Sequence, residues 1–428
     1  MKNIIRPIKG TVDFYPENMA LRTWLYNNIR EVSESFGYRE YEGPIIEPLA
    51  LYAAKSGEEL VKKQSFVFED RGGNLVTLRP ELTPTLARLV AQRQRQLAYP
   101  LRWWSYGPFW RYERPQRGRT REFFQWNIDL IGADSPEADA ELAAVGAKLF
   151  QKLGLTPNEI TIMVNNRRLV DSELEALGVS VEKRPEVTRL IDRRDKMSPE
   201  NWEAYAGDTG LSSTQIEKLQ AILGNDKLWQ KSEELTRFFA AMDAMGLRDY
   251  TRFNPSIIRG LDYYTGTVFE AWDCDGEFRA IFGGGRYDNL VADVGGDSLP
   301  GVGFAMGDKV IAVVMEKFNC LPNSADLFPS PILVTVFDEA TLGASFSLAA
   351  ELREAGFKVA IYPEPAKLGK QFKYANRIGA RVAVVLGPDE IANGQAAIKD
   401  LRTRTQGTHP RAEAADVIRK MLDRGSAS

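Results

Sequence analysis

From Phe123 to Ile131 the chain alternates, residue by residue, between two kinds of side chain. Successive residues of a strand point to opposite faces, so Phe124, Trp126, Ile128 and Leu130 make one face. Phe123, Gln125, Asn127 and Asp129 make the other, a column of hydrogen-bonding groups headed by an aromatic ring. The first face demands a packed core. The second must line water or a cavity, because burying such groups unpaired costs about 1–3 kcal/mol each. Trp103 to Ile131 reads as two strands joined by a polar turn, which predicts an antiparallel hairpin. The turn region collects Arg111, Arg114, Arg117, Arg119 and Arg121, and the pattern puts Arg111 and Glu113 inside the strand. A solvated basic turn is the ordinary outcome for such a run. Guanidinium forks held within a strand instead suit phosphate oxygens, and fixed positive charge suits a reacting phosphorus.

A second informative stretch is Arg259-Gly-Leu-Asp-Tyr-Tyr-Thr-Gly-Thr-Val-Phe-Glu270. Glycines weaken a strand and an arginine needs a partner, so this mixture suits a pocket that grips an anion and a small polar ring. The chain has one histidine, His409, and two cysteines far apart, Cys274 and Cys320. That count excludes zinc sites of Cys and His within one chain, and with them Ser-His or Cys-His nucleophiles. His409 is expected in a solvated turn. The remaining tools are arginines, carboxylates, tyrosines, backbone amides and a hard metal ion. The formal charge is −3, so a nucleic acid would have to be held by local basic patches. There is no apolar run long enough for a signal peptide or membrane span, and scarce cysteine fits a reducing cytosol.

The length predicts two to three domains. Residues 17–36 predict a helix, with Leu21, Leu25, Ile29, Val32 and Phe36 on one stripe and Gly37 ending it. A strand from Leu75 runs into a helix from about Thr83 to Arg95, and 137–153 is helical again. From about 168 to 245 charged helical patterns dominate, which predicts a helical insertion. Strands are expected at 263–273 and 278–282, with the glycines of 283–285 following the second, and a helix from near Met306. Residues 319–331 have linker composition, dividing a first domain over 1–325 from a second over 330–428. There, apolar strands at 332–337, 359–361 and 382–386 alternate with helical patterns at 340–355 and 367–378, before a final helix at 411–423. That order predicts a parallel sheet with crossover helices. Lys367, Lys370, Lys373 and Arg377 share one face of a helix, ordinarily a solvated one.

Phe109-Trp-Arg111-Tyr-Glu-Arg-Pro-Gln-Arg-Gly-Arg119-Thr-Arg-Glu-Phe123-Phe-Gln125 is similar to the second signature motif of class II aminoacyl-tRNA synthetases, in its histidyl form. Thr77-Leu-Arg-Pro-Glu81-Leu-Thr83-Pro, Lys9-Gly-Thr-Val-Asp-Phe14 and Gly284-Gly-Arg-Tyr-Asp288 resemble other segments of the histidyl-tRNA synthetases, as does Gly369-Lys-Gln-Phe-Lys-Tyr-Ala-Asn-Arg377. The resemblance spans essentially the whole chain. It implies an α+β fold, with a class II antiparallel-sheet catalytic domain, a helical insertion and a C-terminal α/β anticodon-binding domain.

Carried over residue by residue, the resemblance implies ATP binding by Arg111 (α-phosphate), Arg119 (γ-phosphate) and Phe123 (adenine stacking). Arg259 would bridge the α-phosphate and the histidine carboxylate, so that Arg259 and Arg111 are the catalytic pair. Glu81, Thr83 and Gln125 would take the substrate ammonium, and Asp129, Tyr263 and Tyr264 would form the imidazole pocket. Gln116 and Arg117 would approach the acceptor end of the tRNA, and Lys367, Lys370, Lys373 and Arg377 its phosphates. Mg2+ is implied through ATP, and so are a homodimer, a cytoplasmic location, tRNA(His) and L-histidine as partners. No resident metal site is implied. One departure stands out: the third class II motif ends in a helix bearing an arginine, whereas Gly303-Phe-Ala-Met-Gly-Asp308-Lys309-Val310 has none. Lys309 would replace it, or Arg119 would act alone, with Asp308 read as a helix N-cap. That gap favours a rival reading, a histidine-sensing regulatory paralogue of ATP phosphoribosyltransferase. The retained Arg111, Arg119 and Arg259 argue against it, and so does the C-terminal domain.

Overall fold

The computed structural model describes residues 4–53, 64–116, 118–194, 197–258, 264–323, 327 and 331–423. The Phe123 alternation becomes the second strand of a long hairpin, paired in register from Leu101↔Ile131 to Trp110↔Glu122. This hairpin lies within an eight-stranded sheet. The order is β1 (Arg39–Glu40), β5 (Leu101–Trp110), β6 (Glu122–Ile131), β11 (Gly301–Gly307), β10 (Phe282–Tyr287), β9 (Thr267–Asp273), β7 (Ile160–Asn166) and β8 (Thr251–Phe253). The six central strands pair antiparallel, and only the edges β1 and β8 pair parallel. A smaller sheet combines β2 (Ile46–Pro48), β4 (Leu75–Leu78) and β3 (Phe66–Glu69).

One face of the large sheet is dry. Phe124, Trp126, Ile128 and Leu130 are buried there with Phe282, Val302, Phe304 and Met306. Four helices cover them: α1 (Pro16–Ser35), α4 (Pro136–Lys152), α9 (Glu233–Ala244) and α10 (Asp308–Lys317). Helix α1 starts with proline at its first turn, where no amide donor is needed, and stops before Gly37, whose φ of 82° is left-handed. Between β7 and β8 lie α5 (Arg167–Ala176), α6 (Arg184–Asp192), α7 (Pro199–Asp208) and α8 (Ser213–Leu223). They pack around their own apolar cluster, which includes Leu190, Trp202 and Leu219. The chain divides into two units, Met1–Pro322 and Asn323–Ser428.

Three expectations needed correction. The glycines of 283–285 lie inside β10 and do not follow it, because β9 and β11 pair with it on both sides. Neighbouring ladders outweigh the low strand propensity of glycine. In the second unit, β12 (Ile332–Val334) lies between β13 (Val359–Ile361) and β14 (Val382–Val385), all parallel, as expected. Two further strands, β15 (Gln395–Asp400) and β16 (Gln406–Pro410), extend that sheet antiparallel, so it is mixed. His409 pairs with Ala396 on the edge strand β16 and is no turn residue. A polar, period-two edge strand exposed on one side has the same composition as a loop, which is why the pattern misled.

Arg286, almost wholly buried, fastens β10 to the start of α4. Its guanidinium donates to Asp139 (2.6 and 3.2 Å) and to the carbonyls of Ala133 and Ser135 (3.0 Å each). Breaking a buried pair from one side strands the other charge, at a cost of about 3–5 kcal/mol. Arg286→Met should therefore lower the unfolding free energy by that amount in urea titrations. Adding Asp139→Leu should restore most of the loss.

Candidate active site

The polar face of the sheet has a floor made largely of glycine. Gly107 and Gly307 flank Gln125, Ala305 pairs with Asn127, and Gly303 pairs with Asp129. Next along, Gly285 pairs with Gly303. Gly107, Gly285 and Gly303 are bare because larger neighbours lie over them. A Cβ at 303 would fall 2.0 Å from Asp129 Oδ1, and one at 285 would fall 2.9 Å from the Tyr264 ring. The Asp129 carboxyl and the Tyr264 ring thus occupy neighbouring places over one paired glycine step, although they lie 135 positions apart in the chain. A Cβ at 107 would meet Arg79 Nη2 at 2.3 Å.

Asp129 is buried, and Tyr287 O–H donates to its Oδ1 at 2.7 Å. Burial pushes its carboxyl up to about 7, while the Tyr287 hydrogen bond pulls the other way. A buried acid near neutrality accepts from an N–H donor and regains its charge when a cation arrives beside it. Tyr264 is also buried, among Ala87, Val268, Tyr287 and Leu290, and its carbonyl accepts from Arg167 at 2.9 Å.

At the turn end of the hairpin a cleft of about 110 Å³ is lined by Arg111, Arg119, Phe123, Lys309, Glu113 and Gly307, among others. The Arg111 guanidinium stands 5.3 Å from the Phe123 ring centroid, and its Nε–H donates to the Pro80 carbonyl at 3.0 Å. That bond ties the hairpin to the Arg79–Thr83 turn, so Glu81 and Thr83 lie against the same end of the sheet. Thr83 opens α3 (Thr83–Arg93), and the Glu81 carbonyl accepts from Tyr52 at 3.3 Å. Arg119 is paired with the largely buried Glu113. Gln116 and Arg119 close the turn by exchanging backbone hydrogen bonds of 3.0 and 2.8 Å. Gln116 is exposed, and Arg117, Arg259 and Tyr263 lie outside the described residues. In the second unit, Lys367, Lys370, Lys373 and Arg377 are all exposed along helix Leu368–Arg377, opposite buried Gln371 and Ala375.

Two local expectations change. The strand ends at Trp110; Arg111 keeps one cross-hairpin bond, its amide donating to the Arg121 carbonyl at 2.9 Å, and Glu113 lies in the turn. The reason is the N-terminal segment, since the Gly10 carbonyl takes the amide protons of Arg121 (2.8 Å) and Glu122 (3.3 Å). Asp308 is not the N-cap of α10, which is Gly307. Its buried carboxylate accepts from Phe124 N–H at 3.0 Å and pairs with Lys309 Nζ at 3.1 Å. The Lys309 ammonium thereby sits 5.0 Å from the Phe14 ring, at the wall of the cleft.

Residues without an assigned role prove central. Arg79 is fully buried, bonded to Glu42 and donating to the carbonyls of Pro108 (3.0 Å) and Gly43 (3.1 Å), with its guanidinium 4.6 Å from Phe109. Tyr287 anchors Asp129. A signal for Tyr287 existed: it follows Gly283 and Gly285 at period two, and a correctly bounded β10 would have put it on the polar face.

The raised value of Asp129 has a definite sign. Its folded-state pKa lies above the unfolded value of about 4, so the fold prefers the neutral carboxyl. Stability from that preference is full below about pH 4 and is lost as pH rises through 7. Asp129→Asn should flatten the slope of unfolding free energy between about pH 4 and pH 7. An unchanged slope would refute the assignment.

Comparison with known proteins places this geometry in a family. A model of histidyl-tRNA synthetase matches residues 10–311, and one of an anticodon-binding domain matches residues 331–421. The histidine–tRNA ligase of Leptospira biflexa is 36% identical, with 97% of this chain and 98% of that protein covered. The chloroplastic/mitochondrial histidine–tRNA ligase of Arabidopsis thaliana is 38% identical, over 94% of this chain and 84% of that one. The crystal structure of a Nostoc histidyl-tRNA synthetase superposes with a TM-score of 0.83 at 25% identity, covering 98% and 100% of the two chains. Sequence and fold agree over nearly the full length, and the chain belongs to the histidyl-tRNA synthetase family.

Proposed function

We propose that this protein is a histidine–tRNA ligase, joining L-histidine to ATP as histidyl-adenylate and then passing the histidyl group to the 3′ end of tRNA(His). The observation that carries this reading is the pairing of two neighbouring features on one sheet face. One is a buried acceptor, Asp129 held by Tyr287, beside the Tyr264 ring. The other is the cleft where Arg111 lies over Phe123. An acid near neutrality beside a phenol suits the two ring nitrogens of imidazole. A phenyl side chain would bring no donor to the acceptor's remaining oxygen.

In this reading adenine stacks on Phe123, Arg111 takes the α-phosphate and Arg119 the γ-phosphate. Glu113 holds Arg119 in place beforehand. Lys309 is the secondary cation at the cleft wall. Gln125, Glu81 and Thr83 receive the ammonium of histidine, and Tyr263 completes the amino-acid pocket. Arg259 neutralises charge shared between the attacking carboxylate and the α-phosphorus. The carboxylate oxygen forms the new bond to phosphorus as the bond to pyrophosphate breaks, with no covalent enzyme intermediate. The rate comes from alignment and fixed charge. Mg2+ arrives on the β- and γ-phosphate oxygens. Gln116 and Arg117 face the acceptor end, and the Lys367–Arg377 stripe meets tRNA phosphates. The match to an anticodon-binding domain supports this reading over the histidine-sensing alternative.

No helix among the described residues is long and apolar enough to cross a membrane. We assign the protein to the cytosol on its scarce cysteine, and to a homodimer on the exposed Ile46, Val67, Phe68 and Leu75 of the small sheet.

Purified protein should catalyse ATP–pyrophosphate exchange with histidine and with no other amino acid. Arg259→Ala should slow exchange on the order of 10²–10³-fold while weakening ATP binding far less. Near wild-type exchange in that variant would remove Arg259 from the mechanism. Reversing charge with Lys370→Glu and Lys373→Glu together should raise the tRNA KM on the order of tenfold and spare exchange. Equal loss of both activities would count against a tRNA surface there.

A further inference from the structure

A second cleft, of about 240 Å³, opens on the opposite face of the β5–β6 hairpin, between α1 and α10. Register puts Tyr106 on that face, directly across from Trp126. The cleft has apolar walls from Trp24, Leu25 and Met315, and a polar end at Arg22, Tyr106 and Lys309. Donors exceed acceptors at that end. The Arg22 guanidinium lies flat against Phe124, 3.5 Å from its centroid, and 5.1 Å from Phe14. It makes no hydrogen bond or ion pair among the described residues, so its N–H edges are free to point into the cleft. The Tyr106 hydroxyl is buried and likewise without a partner among the described residues. Burial pushes its pKa well above the usual phenol range, so it stays a proton donor. The nearby acceptor, Asp308, is already engaged by Phe124 N–H and Lys309. Two cations against one carboxylate leave a single positive charge, which suits a monoanion and disfavours a phosphate dianion.

We propose that this cleft binds a small monocarboxylate carried on a flat apolar body. Arg22 and the Tyr106 hydroxyl take the carboxylate, and the body lies against Trp24 and Met315. The size fits, since a cavity of about 150 Å³ already holds benzene. The site is coupled to the nucleotide cleft, because Asp308 and Lys309 line both. A carboxylate that draws Lys309 from Asp308 alters the support of β6 beside Phe123, and any effect on ATP affinity must be reciprocal.

Isothermal titration of the full-length protein with phenylacetate, and with the neutral isostere phenylacetamide, tests this. One phenylacetate should bind per chain, with the amide at least about tenfold weaker, as loss of a charge-assisted contact implies. Arg22→Gln should abolish that preference. Ala312→Phe, which fills the cleft from α10, should abolish binding of both compounds. Histidine-dependent exchange should persist in both variants, which shows that they are folded and separates this result from the ligase assignment. Equal binding of acid and amide would overturn the proposal. So would acid binding that survives Ala312→Phe, or no acid binding at all, the last being the result if a second copy of the chain occupies the cleft.

Discussion

The site depends on the absence of a side chain at position 303. The Asp129 carboxyl occupies the space that any Cβ there would fill, and Gly285 beside it gives the same room to the Tyr264 ring. Both glycines lie in strands hydrogen-bonded on either side, where glycine is a poor residue for stability. The sheet accepts that weakness because its other face is thoroughly packed. Phe282 and Phe304 stack at 4.5 Å, Trp126 meets Phe304 edge-on at 4.8 Å, and four helices close over them. A rigid dry face thus allows a sparse, functional face on the same strands.

Charge is distributed along the same principle. Arg286 and Arg79 are buried and fully engaged, one locking β10 to α4 and the other lying over Gly107 at the hairpin. Neither is available to a ligand. Arg111 and Arg119 are only partly engaged, by a carbonyl and by Glu113, and stay at the cleft. The guanidinium groups that hold the fold are therefore distinct from those that line the cleft. Asp129 differs again, because its burial is relieved by one phenol alone.

Much of this was legible in the chain. The Phe123–Ile131 alternation correctly separated the dry face of the sheet from its polar face, because strand geometry leaves no other assignment. Helix α1 and its Gly37 stop, the hairpin and the three parallel strands of the second unit followed from local pattern. Failures arose where a partner decided. The glycines of β10 read as a loop until neighbouring ladders are counted, and β15 and β16 lack the apolar run that marks a buried strand. The strand stops short of Arg111 because Gly10, about a hundred residues away, takes the amides of Arg121 and Glu122.

The sequence alone determined which side chains share a strand face and which chemistries are excluded, because these follow from period two and from counting residues. The tertiary structure alone decided that Asp129 meets Tyr287, that Asp308 ties α10 to β6, and that Arg79 lies over Gly107. Each of those contacts joins segments from separate elements, and no local pattern records the distance between two strands that only the packed sheet brings together.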